Sequence, residues 1–522
     1  MPPAADTLSE DALPPPKRPS LGDEYMRSIS RRDFLHDSAV LAALAGAGLG
    51  SESLAAERAV AKKGQVNDQL RVAVVGVHGR GMSHVYGYAG NDRLNTVITT
   101  ICDADSAVIG SAMKAVEKKQ GKAPKFEQDI RKVVEDKDID LITIATPNHW
   151  HALAAIWAMQ NGKDVYVEKP VSHNVSEGRR IVEVARKTNR ICQTGTQSRS
   201  SKGMREAMAF LHAGKLGKIR LARGLCYKLR PSIGKVNSPQ PIPKSVNYDL
   251  WCGPAPMEPL MRKKLHYDWH WVWNTGNGDL GNQGIHEMDK ARWGLNKNEL
   301  AQSVVSVGGR FLPEPDDGQT ANTQICVFDY GDCELIFEVR GWPSTSPFPG
   351  KESPKDSIKP TNFVGNVFYG SEGFMVCPSY SNAVAYSNDG EVIRKFSGGE
   401  DHFANFIKAV RSRKVEDLNA DILEGHLSSA LCHLGNISYR LGDEQPFGQT
   451  PQAFAKDKDA GETFERMEQH LKDNKINLDS VKCRIGRKLN VEPAKEIFLG
   501  DKDANAMLTR EYRKGFEVPE KV

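Results

Sequence analysis

The chain has 522 residues, room for two or three domains, and at 39% hydrophobic residues it can bury a sizeable core. A net charge of +4 and a pI of about 8.4 are small for this length, and acidic and basic residues are interspersed, which argues against a nucleic-acid partner. The nine cysteines are scattered, odd in number and contain no Cys-x-x-Cys, so neither a disulfide framework nor a metal site is expected.

Residues 1–29 are rich in Pro, Ser and charge and are expected to be disordered. Ser30-Arg31-Arg32-Asp33-Phe34-Leu35 resembles a twin-arginine export motif. Residues 39–49 form an apolar run too short to span a bilayer as a mature helix, and Ser53-Leu54-Ala55 offers a small-x-small cleavage site. The expectation is a periplasmic or otherwise exported protein with no stable membrane insertion once the signal is removed. This export route moves folded chains, so the cysteines would stay reduced. A signal region and linker is assigned to 1–67.

Residues 70–75 read as an apolar strand, followed by Gly76-Val77-His78-Gly79-Arg80-Gly81 and a helix over 82–89. Strand, glycine-rich turn and helix form a phosphate cradle of the Rossmann type, with backbone N–H groups and a helix N-terminus meeting a pyrophosphate. His78 stands where the strict pattern has its second glycine. A second strand, 97–102, ends in Asp103, an acid placed to bind both ribose hydroxyls and to repel a 2′-phosphate, which favours NAD over NADP. A helix and turn over 129–138 leads to a strand over 139–145 that ends at Thr146-Pro147-Asn148-His149-Trp150-His151 and runs into a helix. The run 165–167 is a short buried strand followed at once by Glu168-Lys169-Pro170. A lysine there, beside a nicotinamide and partly desolvated, would have a lowered pKa suited to proton transfer. A helix over 175–189 and a strand over 191–195 containing Gln193 complete a strictly alternating pattern, hence a doubly wound parallel sheet over 68–195. Asn148 and Gln193 either bind ring, ribose or substrate, or stabilise loops.

After 195 the texture changes. A helix is expected over 204–213 and an alternating strand over 220–227, with Lys228 and Arg230 just beyond it. Residues 231–259 form a Pro-rich covering loop. The segment 266–274 (His-Tyr-Asp-Trp-His-Trp-Val-Trp-Asn) would put Trp271 and Trp273 on one face if extended, either stacking on a sugar or packing an aromatic corner. Gly284 opens a helix to 293, with His286 near its start, where it can pair with Lys169 for proton transfer. Strands are expected over 303–310, 323–329, 333–340, 364–369 and 391–395, and helices over 401–412 and 420–441, giving an α+β domain over 196–445 with a largely antiparallel open sheet. Residues 446–522 form a charged extension expected to wrap the surface.

Taken together, the glycine-rich turn, Asp103, Thr146-Pro147-Asn148 with His151, Glu168-Lys169-Pro170 and Gly284-x-His286-x-x-Asp289 resemble the Gfo/Idh/MocA oxidoreductases. The resemblance implies NAD bound at Gly76, His78, Gly79, Arg80, Gly81, Asp103, Thr146, Pro147, Asn148, His151, Glu168, Lys169 and Gln193. It also implies hydride transfer at a sugar or cyclitol hydroxyl assisted by Lys169 and His286. Asn282, where many members carry Asp, would hydrogen-bond the sugar, and Lys228, Arg230, Trp271, Trp273 and Asp289 are the candidate substrate contacts. Two further readings stand beside the oxidoreductase: a glycosidase or lyase that oxidises C3 only transiently, and a non-catalytic sugar-binding protein. An open sheet suggests a homo-oligomer, dimer or tetramer, by analogy.

Overall fold

The computed structural model describes residues 68–349 and 362–522. The export motif, the apolar run and the cleavage site lie outside the described residues.

The first half alternates strand and helix: β1 (Leu70–Val75), α1 (Gly81–Tyr88), β2 (Thr96–Cys102), α2 (Gly110–Gln120), β3 (Lys125–Glu127), α3 (Ile130–Glu135), β4 (Leu141–Ile144), α4 (Asn148–Gln160), β5 (Asp164–Val167), α5 (Val175–Lys187) and β6 (Cys192–Thr194). The six strands lie in the order β3-β2-β1-β4-β5-β6, and every pair is parallel. β4, β5 and β6 are buried throughout, as parallel strands covered on both faces must be. The order reverses between β1 and β4, which opens a crevice at their carboxyl ends. Asn174 caps α5 by accepting from the Glu177 amide, while its own amide donates to the Glu177 carboxylate, so this helix starts at a fixed point five residues after Lys169.

The second half begins with α6 (Lys202–His212), β7 (Ile219–Tyr227) and a short α7 (Tyr248–Cys252). A π-turn (Leu280–Gly284) then feeds α8 (Ile285–Gly294), followed by β8 (Ser303–Gly309), β9 (Thr323–Asp329), β10 (Glu334–Arg340), β11 (Phe363–Gly370), β12 (Gly373–Cys377), β13 (Ala383–Ser387) and β14 (Val392–Phe396). Two helices come next, α9 (His402–Ser412) and α10 (Ile422–Arg440). β7 pairs with β10 in parallel and with β11 antiparallel; the other pairings in this sheet are antiparallel. α9 returns to the first half, placing Phe406, Ile407 and Val410 against Val85, Tyr88 and Tyr166. α10 is buried along almost its whole length.

Two expectations change. The aromatic segment near 270 is not extended: Asp268–Trp271 is a 3-10 turn, closed by amides of His270 and Val272 bonded to the carbonyls three residues back. Gly276 allows the chain to fold back there, since a Cβ on it would come within 2.4 Å of the His270 carbonyl oxygen. The tail is also more than a surface wrap. After β15 (Asp443–Pro446), which runs into it, the tail contributes α11 (Lys458–Asp473), β16 (Lys482–Ile485), β17 (Leu489–Glu492), β18 (Ile497–Phe498) and α12 (Lys502–Ala506). β16 and β17 both pair with β8, and Phe464, Met467 and Leu471 of α11 pack on Val305, Ile325 and Ile336 of the sheet. Further on, Phe516 meets the Trp150 ring edge-on at 5.7 Å. All nine cysteines are free thiols.

Because α11 covers a sheet face, truncating its central ring should act like a core deletion. Phe464→Ala is expected to destabilise by about 3–5 kcal/mol, read as a lower urea midpoint; an unchanged midpoint would mean the tail merely lies on the surface.

Candidate active site

The crevice is built where β1, β4 and β5 end. Gly76 adopts φ +81°, and a Cβ on it would lie 2.7 Å from the Ala145 carbonyl, so only glycine lets the two strand ends approach. A Cβ on Gly81 would overlap the Gly76 carbonyl at 1.8 Å. Gly79 also has positive φ, +116°. The cradle thus keeps its tight turn although His78 occupies a motif glycine position; His78 stands edge-on to His266 at 4.5 Å. Asp103 ends β2 as expected. Its two oxygens accept from the Val77 amide at 2.9 Å and the Asp105 amide at 3.0 Å, so the acid also ties the glycine-rich loop to β2. A bound NAD fits these residues: the glycines leave the backbone bare where a pyrophosphate would lie, and the acid stands where ribose hydroxyls would.

Beneath the crevice Glu168 is buried, with Arg80 Nε donating to it at 2.7 Å, His84 Nε2 at 3.2 Å and Gln197 Nε2 at 3.4 Å. Burial alone would push its carboxyl up; Arg80 and His84 outweigh that and hold it well below the usual carboxylate range. The next residue, Lys169, points its amine to the main-chain carbonyl of Asn282, inside the π-turn. Burial pulls the Lys169 amine down to about 8, Glu168 opposing and Arg80 and Lys228 adding to the fall. Gly281 fits here because a Cβ would press on Asn277 at 2.5 Å.

His286 sits one turn beyond Asn282, its ring 4.7 Å from that of Tyr380, and its Nδ1 has no hydrogen-bond partner. Burial, then the neighbouring Lys169, holds this ring well below its ordinary pKa, so it is neutral. The amine and the imidazole are electrostatic neighbours, while the amine's hydrogen bond goes to Asn282. Lys228 Nζ donates to Gln283 Oε1 at 3.2 Å, and Gln283 Nε2 reaches Tyr380 at 2.8 Å and Glu287 at 3.3 Å. Burial pushes the Glu287 carboxyl up to about 7, Lys290 opposing. Arg230 binds Asp279 through two nitrogens, at 2.7 and 2.6 Å, and lies over the Trp271 ring at 5.2 Å. Asp279 is therefore already paired. Asn148 Nδ2 donates to Asn277 Oδ1 at 3.0 Å, which joins the end of β4 to the loop before the π-turn.

Four expected contacts lie elsewhere. His151 is buried between the Pro170 carbonyl (2.6 Å) and the Thr146 carbonyl (2.8 Å), so it clamps the two strand-end loops to each other. Gln193 is fully buried and donates to the His402 carbonyl at 3.0 Å, holding the start of α9. Asp289 is fully buried and accepts from Arg199 Nε at 2.8 and 3.0 Å and from Ser428, because its side of α8 faces α10. Trp273 lines a separate cavity beside Arg440. Conversely, His84, Gln197, Gln283, Tyr380 and Glu287 belong to the site. Gln283 and Glu287 flank the His286 motif and could have been found there; His84 and Tyr380 reach the site through tertiary packing.

A family model described as the NAD-binding Rossmann fold of an oxidoreductase family matches residues 70–196, and one described as that family's C-terminal alpha/beta domain matches 215–350. A glycosyl hydrolase family 109 protein of Saccharopolyspora erythraea is 30% identical over 281 residues, covering 50% of this chain and 54% of that protein. An alpha-N-acetylgalactosaminidase of Shewanella oneidensis is 31% identical over 184 residues, covering 32% of this chain and 39% of that one. The match thus spans about half or less of these relatives' length. A solved levoglucosan dehydrogenase, in complex with NADH and levoglucosan, superposes with TM-score 0.51 at 18% identity over 70% of this chain and 95% of its own. A putative oxidoreductase from Thermotoga maritima gives 0.52 at 16%, over 71% and 97%. At such identities the structures establish a shared fold. With both halves matched in order, the chain belongs to the Gfo/Idh/MocA oxidoreductase family.

Proposed function

We propose that the protein removes or returns a hydride at a hydroxyl-bearing carbon of a sugar, glycoside or cyclitol, with NAD held tightly at the glycine-rich cradle. The observation that carries this reading is Lys169: a half-buried amine at the end of β5, anchored on Asn282 and lowered to about 8. NAD, when bound, supplies the hydride acceptor at this end of the parallel sheet. Lys169 takes the hydroxyl proton in one direction and gives it back in the other. The neutral His286 imidazole and Lys228 stand beside it to orient the hydroxyl, and the Asn282 side chain serves as a further hydrogen-bonding group. Asp103 favours NAD over NADP through repulsion of a 2′-phosphate. The N-terminal motif supports export of a folded protein, and the second-half sheet supports a homo-oligomer; both belong to this proposal.

A second reading has the same residues serve glycoside cleavage. Hydride removal at C3 would acidify C2–H; the C2 proton and the C1 aglycone leave, water adds across the resulting C1=C2 double bond, and return of the hydride to C3 means no net oxidation accumulates. The glycosyl hydrolase family 109 and alpha-N-acetylgalactosaminidase names of the relatives favour it. Absorbance at the reduced-nicotinamide band separates the two: a lasting change on adding a sugar marks an oxidoreductase, and released aglycone without lasting change marks the glycosidase. A non-catalytic sugar binder would give neither.

The pH dependence follows from the amine. The base form of Lys169 is needed for oxidation, so kcat/KM in that direction should rise with pH through a limb near 8. Lys169→Arg keeps the charge but cannot lose its proton, and should cost roughly 10²–10⁴-fold with cofactor binding retained; a variant at wild-type rate would remove Lys169 from the chemistry. Glu168 raises the amine's pKa, so Glu168→Gln should move the limb to lower pH. An upward move would contradict the assigned coupling. Gly76→Ala should abolish NAD binding, measured by titration, because its Cβ collides with Ala145.

A further inference from the structure

A second cavity, of about 180 Å³, lies beside the crevice, lined by His173, Trp273, Asn436, Arg440 and Arg510 among others, with no aspartate or glutamate in its walls. It is smaller than the roughly 300–1,000 Å³ of pockets for larger ligands. Asn277 forms the wall between the two spaces: its oxygen accepts from Asn148 on the crevice side, and its nitrogen donates to the His173 carbonyl at 3.0 Å.

Neither arginine of this cavity is hydrogen-bonded or ion-paired to a carboxylate among the described residues, and Glu177 offsets Arg510 only at longer range. Arg440 makes no hydrogen bond or ion pair among the described residues; its guanidinium rests 5.0 Å over the Trp273 ring. Arg510 donates to the Asn274 carbonyl at 3.0 Å and to His173 Nδ1 at 3.2 Å, and pairs with no carboxylate. Since Nδ1 accepts, the His173 proton sits on Nε2, which is buried without a hydrogen bond, the Trp273 carbonyl being its neighbour. Glu177, the nearby acid, is occupied by the His173 amide at 2.7 Å, Asn174 at 2.9 Å and Tyr512 at 3.1 Å. Two guanidinium groups lining a small space with no carboxylate in its walls form an arrangement that recognises oxyanions.

We propose that this cavity binds a small oxyanion, the carboxylate, phosphate or sulfate group of an acidic ligand, on Arg440 and Arg510, with His173 holding Arg510 in place. The ligand sits one side chain away from the crevice and does not compete for Lys169.

The test is calorimetric titration of the full chain with inorganic phosphate, sulfate and glucuronate at constant ionic strength. Saturable binding by at least one probe is expected, weakened about tenfold or more in Arg440→Gln and Arg510→Gln and kept in Lys169→Gln. Arg440 is exposed at the mouth, so its variant tests the site without endangering the fold. Saturation by glucuronate alone supports a carboxylate ligand, and by phosphate or sulfate alone a phosphorylated or sulfated one. Absence of saturable binding for all three overturns the site. Unchanged affinity in both arginine variants does so too, as does binding lost in Lys169→Gln but kept in Arg440→Gln.

Discussion

The site depends on one buried carboxylate. An ionised Glu168 in the interior costs several kcal/mol of lost hydration unless it is paired, and it is paired from three elements at once: Arg80 of the glycine-rich loop, His84 of α1 and Gln197 beyond β6. Even the space is reserved, since a Cβ on Gly195 would lie 2.6 Å from a Glu168 oxygen. The cofactor cradle and the Lys169 amine are therefore one electrostatic unit. Without Glu168, Arg80 and Lys169 would face each other as unshielded cations, and the amine would lose the neighbour that keeps its pKa from falling further.

The second constraint is backbone geometry. A regular α-helix would bond each carbonyl four residues on. The π-turn over Leu280–Gly284 interrupts that register, and the Asn282 carbonyl accepts from Lys169 instead. The two glycines of Gly-Asn-Gln-Gly keep this turn compact, since a Cβ would lie 2.5 Å from Asn277 at the first and 2.8 Å from the Asp279 carbonyl at the second. The amine is held between the end of a strand in one half and a broken helix turn in the other.

Much of this was legible in the sequence. The parallel sheet follows from short apolar runs separated by helical stretches, and the strand-end positions of Asp103 and Lys169 follow from where those runs stop. What sequence did not reveal is direction. His151, Gln193 and Asp289 are the right residue types near the right motifs, but their side chains turn to the Pro170 carbonyl, the start of α9 and Arg199. A one-residue difference of facing decides this, and packing partners outside the local motif, from Pro170 for His151 to His402 for Gln193, set it. β12 and β13 are only five residues each, and β15 is exposed at all four positions, so it shows no alternation to read.

The tail's return path has a consequence for assembly order. The parallel half is made largely of contacts between neighbouring elements and can organise early as the chain emerges during synthesis. Yet the Trp150 ring, flanked by Trp157 and Gly253, gains its last aromatic neighbour only when Phe516 arrives, and Arg513 must reach back to Asp249 and the Gly253 carbonyl. Maturation is therefore a late stitching event: the nucleotide-binding half waits, with one side of an indole open, for a segment more than three hundred residues downstream to seal it.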